Sequence, residues 1–557
     1  MHYSITRKSF TSQFIQIQLS VACLEKETIH LQLPAWRPGR YELANYGQKL
    51  KCFKVIGNGL EIPWKKNSKD LWEFTASYPG QYQIEYEYYC NQMDAGGCWS
   101  DDQQLYLNFS NFIFELLEKK NEEISISIEL PNDYKVATAL EKTAINIWKA
   151  GSFQQLMDSP LLASTGLNHF SYPVLGSNFH IWIQGEIHFK IENLIAVFQS
   201  FTESQILDFG EFPSEDYHFI FQLLPYKHFH GVEHAHSTVI TYGPAKILSD
   251  KSELDELIGV SSHELYHFWN VCRIRPKALL PYDLSKEVYL EEGLVMEGVT
   301  TYMGDYYLLK SGYFSVQEYL NILEEKIQRE FDSFGWQNQS IVESSFDLWL
   351  DGYKAGIPDK KVSIYNRGAL ISFCLDLMLK SAESSLSEVM KDMWEKFGKT
   401  GVGYNLGDFE KSVLICSNEQ EKMLSFFQSF VFGKEDLLPI LKGLLMQIGI
   451  EIQENFEGNA LLHLWGIRKD ESGIITQIHP ASEAYHLLMK NDKILDYANE
   501  AEQTNTQVKF HIERFGKIIS ITLRESSKKY FPKFTLITLQ HHKQILKGII
   551  GIENPLP

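Results

Sequence analysis

The sequence predicts a multidomain α+β protein in which a β domain comes first, a mixed and then helical domain follows, and a small β-rich module comes last. The chain has 557 residues, more than a single hydrophobic core usually organises, so we expect at least three domains. Apolar residues alternate with period two at the start, recur three or four apart from about position 250, and alternate again near position 450.

Residues 1–165 are expected to form the N-terminal β domain. The segments 14–19 and 82–88 place polar and apolar residues alternately, as half-buried strands do. Pro-Gly pairs at 38–39 and 79–80 supply turn residues between such strands. The pattern therefore indicates strands joined by tight turns.

Residues 166–440 are expected to form the second domain. Leu254, Leu257 and Ile258 stand three or four apart, which is the spacing of one helix face. The same spacing recurs further along the chain, in Leu370, Phe373, Cys374 and Leu377. The second domain should therefore be mixed at its start and helical after about position 250.

The end of the chain is β-rich in pattern. Residues 474–478 and 518–523 alternate as short strands do, so a small module is expected over 441–530. Residues 531–557 are expected to form a C-terminal tail.

The composition is that of a soluble globular protein, with 44% hydrophobic and 22% charged residues. Acidic residues outnumber basic ones by 71 to 52, which gives a formal net charge of -19. This charge argues against nucleic acid or an anionic membrane as the main partner. It suits a cationic or zwitterionic ligand, and plain solubility accounts for it equally well. No apolar run is long enough to span a membrane.

Cysteine usage and the start of the chain both favour a cytoplasmic location. The seven cysteines are scattered without CxxC pairs, which is typical of reduced thiols. The first residues lead into an alternating segment and lack the apolar core of a signal peptide. Two alternatives stay open: a Cys90–Cys98 disulfide, and a periplasmic or secreted location if an upstream signal has been trimmed.

The strongest chemical signal is the pentapeptide His263-Glu264-Leu265-Tyr266-His267. On a helix, residues four apart lie on one face, so both imidazoles can bind one metal ion. A catalytic zinc takes three protein ligands and keeps a position open for water, whose pKa it lowers from about 15.7 to about 7. Glu264 would lie beside that water and act as the catalytic base. The alternative is two histidines and a glutamate on a helix surface, without a metal.

A third candidate ligand follows downstream. The segment 291–302 has helical apolar spacing with one carboxylate, Glu297, inside its apolar part, thirty residues after His267. Burying an isolated carboxylate is costly, and coordination to a cation removes that cost. The sequence therefore predicts one catalytic Zn²⁺ ion held by His263, His267 and Glu297.

Short motifs distributed over most of the chain resemble those of one known family. They occur in a fixed order: LPAWRPGRY at 33–41, DSP at 158–160, HELYHFWNVCRIRPKAL at 263–279, PYD at 281–283, MEGVTTYMGDYYLL at 296–309, SSFD at 344–347 and YNRGAL at 365–370. In number and order they closely resemble the glycyl aminopeptidase family, a group of zinc metallopeptidases related to the aminopeptidase N-like enzymes.

The resemblance implies the architecture of a gluzincin, that is, a thermolysin-like zinc peptidase with a glutamate ligand. The expected parts are an N-terminal β-sandwich-like domain, a thermolysin-like catalytic domain with a helical region, and a C-terminal PDZ-like domain. Residues 473–499 resemble the PDZ pattern, and LWGI at 464–467 would be its carboxylate-binding loop, in place of GLGF. The resemblance thus makes a peptide C-terminus a candidate partner of the module.

The resemblance also implies roles in substrate binding. HGVEH at 230–234 is similar to the family's GGxEH strand, whose glutamate binds the free α-amine of the substrate, which implicates Gly231 and Glu233. Such a strand offers its backbone to an extended peptide. His230 stands where the family has its first glycine. Taken without the resemblance, a second metal site could be formed by His228, His230, His234 and His236.

Tyr365 matches the family's YxKG position, where a tyrosine stabilises the oxyanion. A phenol hydroxyl aimed at developing negative charge would complement a zinc ion. The alternative is a tyrosine that packs at the start of a helix. Thr301 and Asp305 are candidates for hydrogen bonds to the zinc-binding histidines.

Motifs and resemblance together predict a zinc aminopeptidase that removes N-terminal residues from peptides with a free N-terminus. By resemblance, those residues are small, of the Gly or Ala type. Zinc endopeptidase activity and epoxide hydrolysis use the same ligand set, although the sequence shows no lipid tunnel for an epoxide. A further alternative is a non-catalytic scaffold whose PDZ-like module binds peptides. An intact Glu264 argues against the scaffold, since a structural zinc site needs no base.

Overall fold

The computed structural model of the protein describes residues 1–499, 507–524 and 527–551. The first part is β-rich and contains one short helix, α1 (Phe153–Met157). Its strands are β1 (His2–Thr6), β2 (Phe14–Cys23), β3 (Thr28–Gln32), β4 (Leu50–Gly57), β5 (Leu60–Glu61), β6 (Trp64–Lys66), β7 (Leu71–Thr75), β8 (Gly80–Tyr89), β9 (Trp99–Ser100), β10 (Gln104–Leu107), β11 (Glu115–Leu116), β12 (Ile124–Ile128), β13 (Lys135–Ala137), β14 (Glu141–Ala144), β15 (Ile147–Ala150) and β16 (Leu161–Ser164).

These strands form three sheets. The largest has the order β14-β15-β12-β1-β2-β8-β4-β5, and the smaller two have the orders β13-β16-β10-β9 and β11-β3-β7-β6. β2 and β8 contain the two segments predicted as strands, and they pair antiparallel with Leu19 opposite Ile84. Alternate side chains of both strands are buried, as the period-two pattern requires. The predicted β-rich N-terminal domain is confirmed.

A five-stranded sheet and helix α2 open the second part of the chain. The elements are β17 (Asn168–Val174), β18 (Ser177–Gln184), α2 (Ile191–Phe209), β19 (Asp216–Leu223), β20 (His228–Glu233) and β21 (Ser237–Gly243). The strand order is β17-β18-β19-β21-β20, so β20 is an edge strand. Within the described residues it pairs only with β21, and its other edge is free to accept an extended chain.

The chain is helical from here to about residue 447, as predicted. The helices are α3 (Lys251–Tyr266), α4 (Thr300–Lys310), α5 (Val316–Phe331), α6 (Ile341–Phe346), α7 (Leu348–Asp351), α8 (Asn366–Ser381), α9 (Leu386–Met393), α10 (Leu406–Cys416), α11 (Gln420–Phe426) and α12 (Leu438–Gln447). A π-helix, Leu294–Val299, leads directly into α4. The predicted helix faces fall within α3 and α8.

The elements after α12 are β22 (Ile450–Asn455), α13 (Ala460–His463), β23 (Ile467–Lys469), β24 (Ile475–Ile478), α14 (Ala484–Leu487), β25 (Lys493–Asn499), β26 (Gln507–Arg514), β27 (Lys517–Arg524), β28 (Lys533–Thr538) and α15 (His542–Ile550). β22 pairs with β28, and α15 packs against α5 and α8. Apolar residues of these three elements, such as Ile450, Leu536 and Ile545, belong to the main hydrophobic core. The segment 531–557, expected to be a tail, therefore completes the main body as far as residue 551.

The residues between β22 and β28 have a hydrophobic core of their own. It includes Leu461, Ile467, Ile475, Phe510 and Leu523. The small β-rich module is thus present and lies inside the range 441–530, while its assignment to the PDZ fold stays a prediction. It contacts the main body through an ion pair of 2.8 Å between Arg468 and Asp332.

Two further expectations concern the thiols and the membrane. All seven cysteines are free, so the Cys90–Cys98 bridge that the sequence left open is not formed. No helix within the described residues has both the length and the apolarity that a membrane span requires.

Candidate metal centre and active site

Helix α3 and the residue after it bring the two motif histidines together. His263 lies in the last turn of α3 and His267 caps its C-terminus, one turn further along the same face. Their Nε2 atoms are 3.0 Å apart. His267 is almost fully buried, whereas 18% of the His263 side-chain surface stays exposed. The pair therefore faces a position that is open on one side.

The π-helix presents Glu297 to the same point. Its Oε2 atom lies 3.7 Å from His263 Nε2 and 3.5 Å from His267 Nε2. π-helical turns are rare and occur mostly at functional sites. The wider turn lets one buried carboxylate face the histidines while the apolar neighbours Val295, Met296 and Val299 pack in the core.

Asn270 connects the two halves of this centre. Its backbone carbonyl accepts a hydrogen bond of 3.0 Å from His267 Nδ1, which leaves Nε2 as the metal-facing atom. Its side-chain amide donates to the Val295 carbonyl (2.7 Å) and to Thr300 Oγ1 (2.9 Å), at the two ends of the Glu297 turn. Asn270 thereby holds the orientation of His267 and the position of the Glu297 turn together.

The three groups fit a zinc ion on chemical grounds. Glu297 Oε2 is buried and has no hydrogen-bond partner. A buried carboxylate oxygen without a donor is costly, and a cation removes that cost. One ligand atom of each of His263, His267 and Glu297 lies within 4.8 Å of the others. Two imidazoles, one carboxylate and an open side are the donor set of a catalytic zinc site.

Thr301 and Asp305, the candidate partners of the histidines, form no hydrogen bond with His263 or His267 in the structure. The Thr301 hydroxyl makes no hydrogen bond, and Asp305 pairs with Lys326 at 3.2 Å. A π-helical turn is wider than an α-helical turn, so the residue four positions after Glu297 does not lie directly above it on the same face.

Glu264 lies beside the metal-binding groups and beneath the edge strand β20. It is 5% exposed, and its Oε2 atom is buried without a hydrogen-bond partner. Burial raises the pKa of its carboxyl group to about 8. Its Oε1 atom lies only 2.3 Å from the position that a Cβ at Gly231 would take. Any side chain at 231 would displace this carboxylate, so the strand needs glycine here.

Glu233, at the end of β20, is the second carboxylate near Glu264. One ligand atom each of Glu233, Glu264 and His267 lies within 4.8 Å of the others. Burial raises the pKa of Glu233, and the nearby guanidinium of Arg37 opposes that rise. The carboxylate is covered by Gly39 of the N-terminal domain, where a Cβ would be 2.6 Å from Glu233 Oε2.

His230 points away from the metal-facing side of β20. Side chains alternate along a strand, so Gly231 and Glu233 share one face and His230 lies on the other. There the His230 imidazole meets Arg37 Nη2 at 3.2 Å and Asp94 at 3.9 Å. Burial lowers the pKa of His230 to about 3, so the ring is neutral and accepts from Arg37. This histidine ties β20 to the N-terminal domain.

The second metal site considered for the histidine cluster is not formed. His234 pairs with Asp158 at 2.9 Å, and His236 contacts Ser214 Oγ at 2.9 Å. Across the described residues, the metal-capable groups lie at the centre already described, and none includes these histidines.

Tyr365 approaches Glu297 because two glycines allow two helices to touch. It caps the N-terminus of α8, and Gly368 in the first turn packs against Gly298, where a Cβ on either would be 2.6 Å from the other's Cα. Burial raises the pKa of the Tyr365 phenol well above its usual value, with Glu297 as the next contribution. The hydroxyl therefore stays protonated and can donate a hydrogen bond.

Three residues near the centre had no assigned role in the sequence analysis. Arg37 and Gly39 belong to the LPAWRPGRY motif, which was used only as a family signature. Tyr353 is half-buried near Tyr365 and Glu297, and its hydroxyl donates to the Gly39 carbonyl at 3.4 Å. It stands outside the quoted motifs, so no local signal indicated it.

Two family models match parts of the chain. Residues 2–165 match the peptidase M61 N-terminal domain, and residues 256–371 match the M61 glycyl aminopeptidase model, which together cover about half of the chain. A comparison with curated protein sequences gives no match.

The fold is similar to that of solved metallopeptidases. An aminopeptidase N family protein from Idiomarina loihiensis is 24% identical, with a TM-score of 0.87 over 98% of this chain and 99% of the other. An M1 zinc metallopeptidase from Deinococcus radiodurans is 15% identical, with a TM-score of 0.50 over 78% of this chain and 94% of the other. From the family matches, the chain belongs to the M61 glycyl aminopeptidase family and is a zinc metallopeptidase.

Proposed function

We propose that the protein is an aminopeptidase that hydrolyses the first peptide bond of peptides with a free N-terminus. His263, His267 and Glu297 would hold one zinc ion in a thermolysin-like catalytic domain. The buried, donor-free Glu297 oxygen and the 3.0 Å approach of the two imidazoles support this ligand set.

The observation that most strongly supports the proposal is the closed end of the groove along the edge strand β20. β20 ends at Glu233, and Gly39 of the N-terminal domain lies directly against that carboxylate. An extended peptide lying along β20 would reach this end with its first residue and could not continue past it. A closed end with a carboxylate suits a substrate ammonium, because a buried cation needs a fixed counter-charge. An endopeptidase would need both ends of the groove open.

The proposed mechanism divides the work among three side chains and one glycine. Bound zinc supplies Lewis acidity for the scissile carbonyl and lowers the pKa of water. Glu264 takes the proton of the attacking water and passes it to the leaving amine, and its position beside His267 suits that role. Tyr365 donates a hydrogen bond to the developing oxyanion. Glu233 holds the substrate ammonium, and Gly231 leaves room for Glu264.

The preference for a small first residue, of the Gly or Ala type, is part of the proposal. The amine end of the groove is covered by the segment that carries Arg37 and Gly39, and both residues lie close to Glu233. A first residue whose amine is held at Glu233 would therefore have little space for its side chain. Peptides with Gly, Ala, Leu and Phe at this position would test the preference directly.

Glu233→Gln tests the amine anchor. The substitution keeps the size of the side chain and removes its charge, which should cost about 2–4 kcal/mol of transition-state binding. That corresponds to roughly a thirty- to thousandfold loss in kcat/KM on free-N-terminal peptides. Zinc content should not change. Glu186→Gln, at a side chain that is 83% exposed, is the matched control.

Acetylated peptides separate the aminopeptidase from the endopeptidase. Peptides with an acetylated N-terminus offer no ammonium and should be poor substrates of the unmodified enzyme. If free and acetylated peptides are cut equally well, Glu233 is no amine anchor and the enzyme is an endopeptidase with the same zinc chemistry.

We also propose that the C-terminal module is PDZ-like and binds peptide C-termini. Its strand β23 pairs with β24 and, among the described residues, with no other strand, so it offers a free edge of the kind used in β-addition. In the proposed carboxylate-binding loop, Trp465 and Ile467 are buried and Gly466 has a φ of +67°. A cytoplasmic location is proposed as well, because all seven cysteines are free thiols.

A further inference from the structure

A cavity of about 350 Å³ lies next to Tyr365 and Tyr353 in the helical region. Its size is within the range of about 300–1,000 Å³ that is usual for small-molecule sites. Further lining residues are Arg329 at the C-terminal end of α5, Trp336 in the turn that follows α5, and Lys361 in the segment before α8. The cavity therefore shares Tyr365 with the candidate active site.

Two cations of this cavity have no carboxylate partner. Arg329 is exposed and makes neither an ion pair nor a hydrogen bond with any described residue. Lys361 donates to the backbone carbonyls of Asp351 and Lys354 and forms no ion pair among the described residues. Both positive charges are thus free to act on a ligand.

The carboxylates of the same cavity are already paired. Glu330 is buried and bonded to Arg367 at 2.7 Å. Asp351 pairs with Lys360 at 3.0 Å. With its anions neutralised and two cations free, the cavity carries a local positive charge in a chain whose net charge is -19. Such a site attracts a small anion, and arginine offers a carboxylate two parallel hydrogen bonds.

We propose that this cavity binds a carboxylate group of the peptide substrate, with Arg329 as its main partner and Lys361 as an additional positive charge. The inference rests on the proposed aminopeptidase function, because Tyr365 and Tyr353 connect the cavity to the reacting groups. The carboxylate is either the C-terminus of a short peptide or an acidic side chain close to the scissile bond. Arg329 would then determine substrate choice and take no part in the chemical step.

Matched peptide pairs separate the two sources. Ala-Ala as free acid and as amide tests the C-terminal carboxylate. Ala-Glu-amide against Ala-Gln-amide tests an acidic second residue. In each pair only one negative charge changes. The unmodified enzyme should prefer the acid in at least one pair, with the difference mainly in KM.

Arg329→Gln should reduce that preference by roughly tenfold, which is the scale of a lost charge-assisted hydrogen bond. kcat on neutral peptides should be unchanged, and Arg329→Lys should restore part of the preference. Among the described residues, Arg329 has no hydrogen-bond or ion-pair partner, so neither substitution removes such an interaction from the fold.

Four outcomes test the carboxylate site. Equal kcat/KM within every pair would overturn the carboxylate site while the aminopeptidase function stands. A preference that survives in Arg329→Gln would overturn it too, and a changed melting temperature alone would mean that Arg329 serves only the end of α5. An enzyme that cleaves none of the free-N-terminal peptides contradicts the proposed function itself, and the carboxylate site with it.

Discussion

Gly231→Ala is a sharp test of how the edge strand and the catalytic base fit together. A Cβ at 231 would lie 2.3 Å from Glu264 Oε1 and 3.1 Å from Val260 Cγ2. Ordinary contacts of a Cβ begin at about 3.4 Å, so either the carboxylate or the strand must move by about 1 Å. The substitution adds one methyl group and changes neither a charge nor a ligand.

The expected loss follows from that displacement. A misplacement of about 1 Å at a reacting group costs on the order of a hundredfold in rate. We therefore expect kcat of Gly231→Ala to fall by about two orders of magnitude. Zinc content should stay the same, since the three atoms nearest the added methyl group belong to Glu264 and Val260 and not to a candidate metal ligand.

The assay is hydrolysis of an aminoacyl fluorophore, with zinc quantified in the same preparation. Gly259→Ala is the matched control, because it adds the same methyl group to helix α3, where no atom lies within 4 Å of the new Cβ. That control should keep full activity and gain about 0.5–1 kcal/mol of helix stability. Unchanged kcat in a zinc-loaded Gly231→Ala would refute the argument that Gly231 makes room for the base.

Three further predictions concern the zinc site, His218 and the small C-terminal module. A chelator should abolish hydrolysis, and added zinc should restore it. Glu264→Gln should still bind zinc but lose activity, and an active Glu264→Gln variant would contradict the assignment of the base. Burial, together with the neighbouring His180, lowers the pKa of His218 to about 3. As the pH falls below about 6.5, His218 is therefore protonated in the unfolded chain but stays neutral in the folded protein. The free energy of unfolding is unaffected by His218 above that pH and is lower by about 2 kcal/mol at pH 5. His218→Asn keeps an acceptor for Trp182 Nε1. The melting temperature of this variant should differ less between about pH 7.5 and pH 5 than that of the unmodified protein. An unchanged difference would show that His218 does not cause the loss of stability at low pH. Replacing residues 456–532 with an Asn-Gly turn should leave a folded, zinc-loaded enzyme, because β22 and β28 pair with Asn455 opposite Lys533. Activity on long peptides should fall more than activity on dipeptides, and an equal loss on both would mean that the module only supports the catalytic domain.

The grouping of the metal-binding side chains was predictable because short-range spacing encodes it. Two histidines four apart on a helix must share a face, and Glu297 is the one carboxylate inside an apolar helical stretch. The π-helical form of that stretch was not predictable from the same pattern. Its wider turn leaves the apolar spacing almost unchanged but shifts the residues that follow, among them Thr301 and Asp305.

The end of the chain shows a limit of local patterns at the level of domains. β28 and α15 were predicted to belong to a tail because their own sequence does not indicate which elements they pack against. In the fold, β28 completes a sheet with β22 from the other side of the small module, and α15 covers α5 and α8. The pairing brings together residues that are distant in sequence, and such pairing is determined by the rest of the core and not by local propensity.

The contacts that complete the candidate site share this long-range character, and glycines mark them. Gly39 meets Glu233 across the boundary between two domains, Gly231 meets Glu264 between a strand and a helix, and Gly298 meets Gly368 between two helices. In a sequence, each of these glycines resembles a turn residue or a weak point in a helix. In the structure, each lies where a side chain would separate a catalytic group from its neighbour. The candidate metal ligands can therefore be found by spacing. The glycines that let the proposed base, the proposed amine anchor and Tyr365 approach them become identifiable only when the partners on other elements are known.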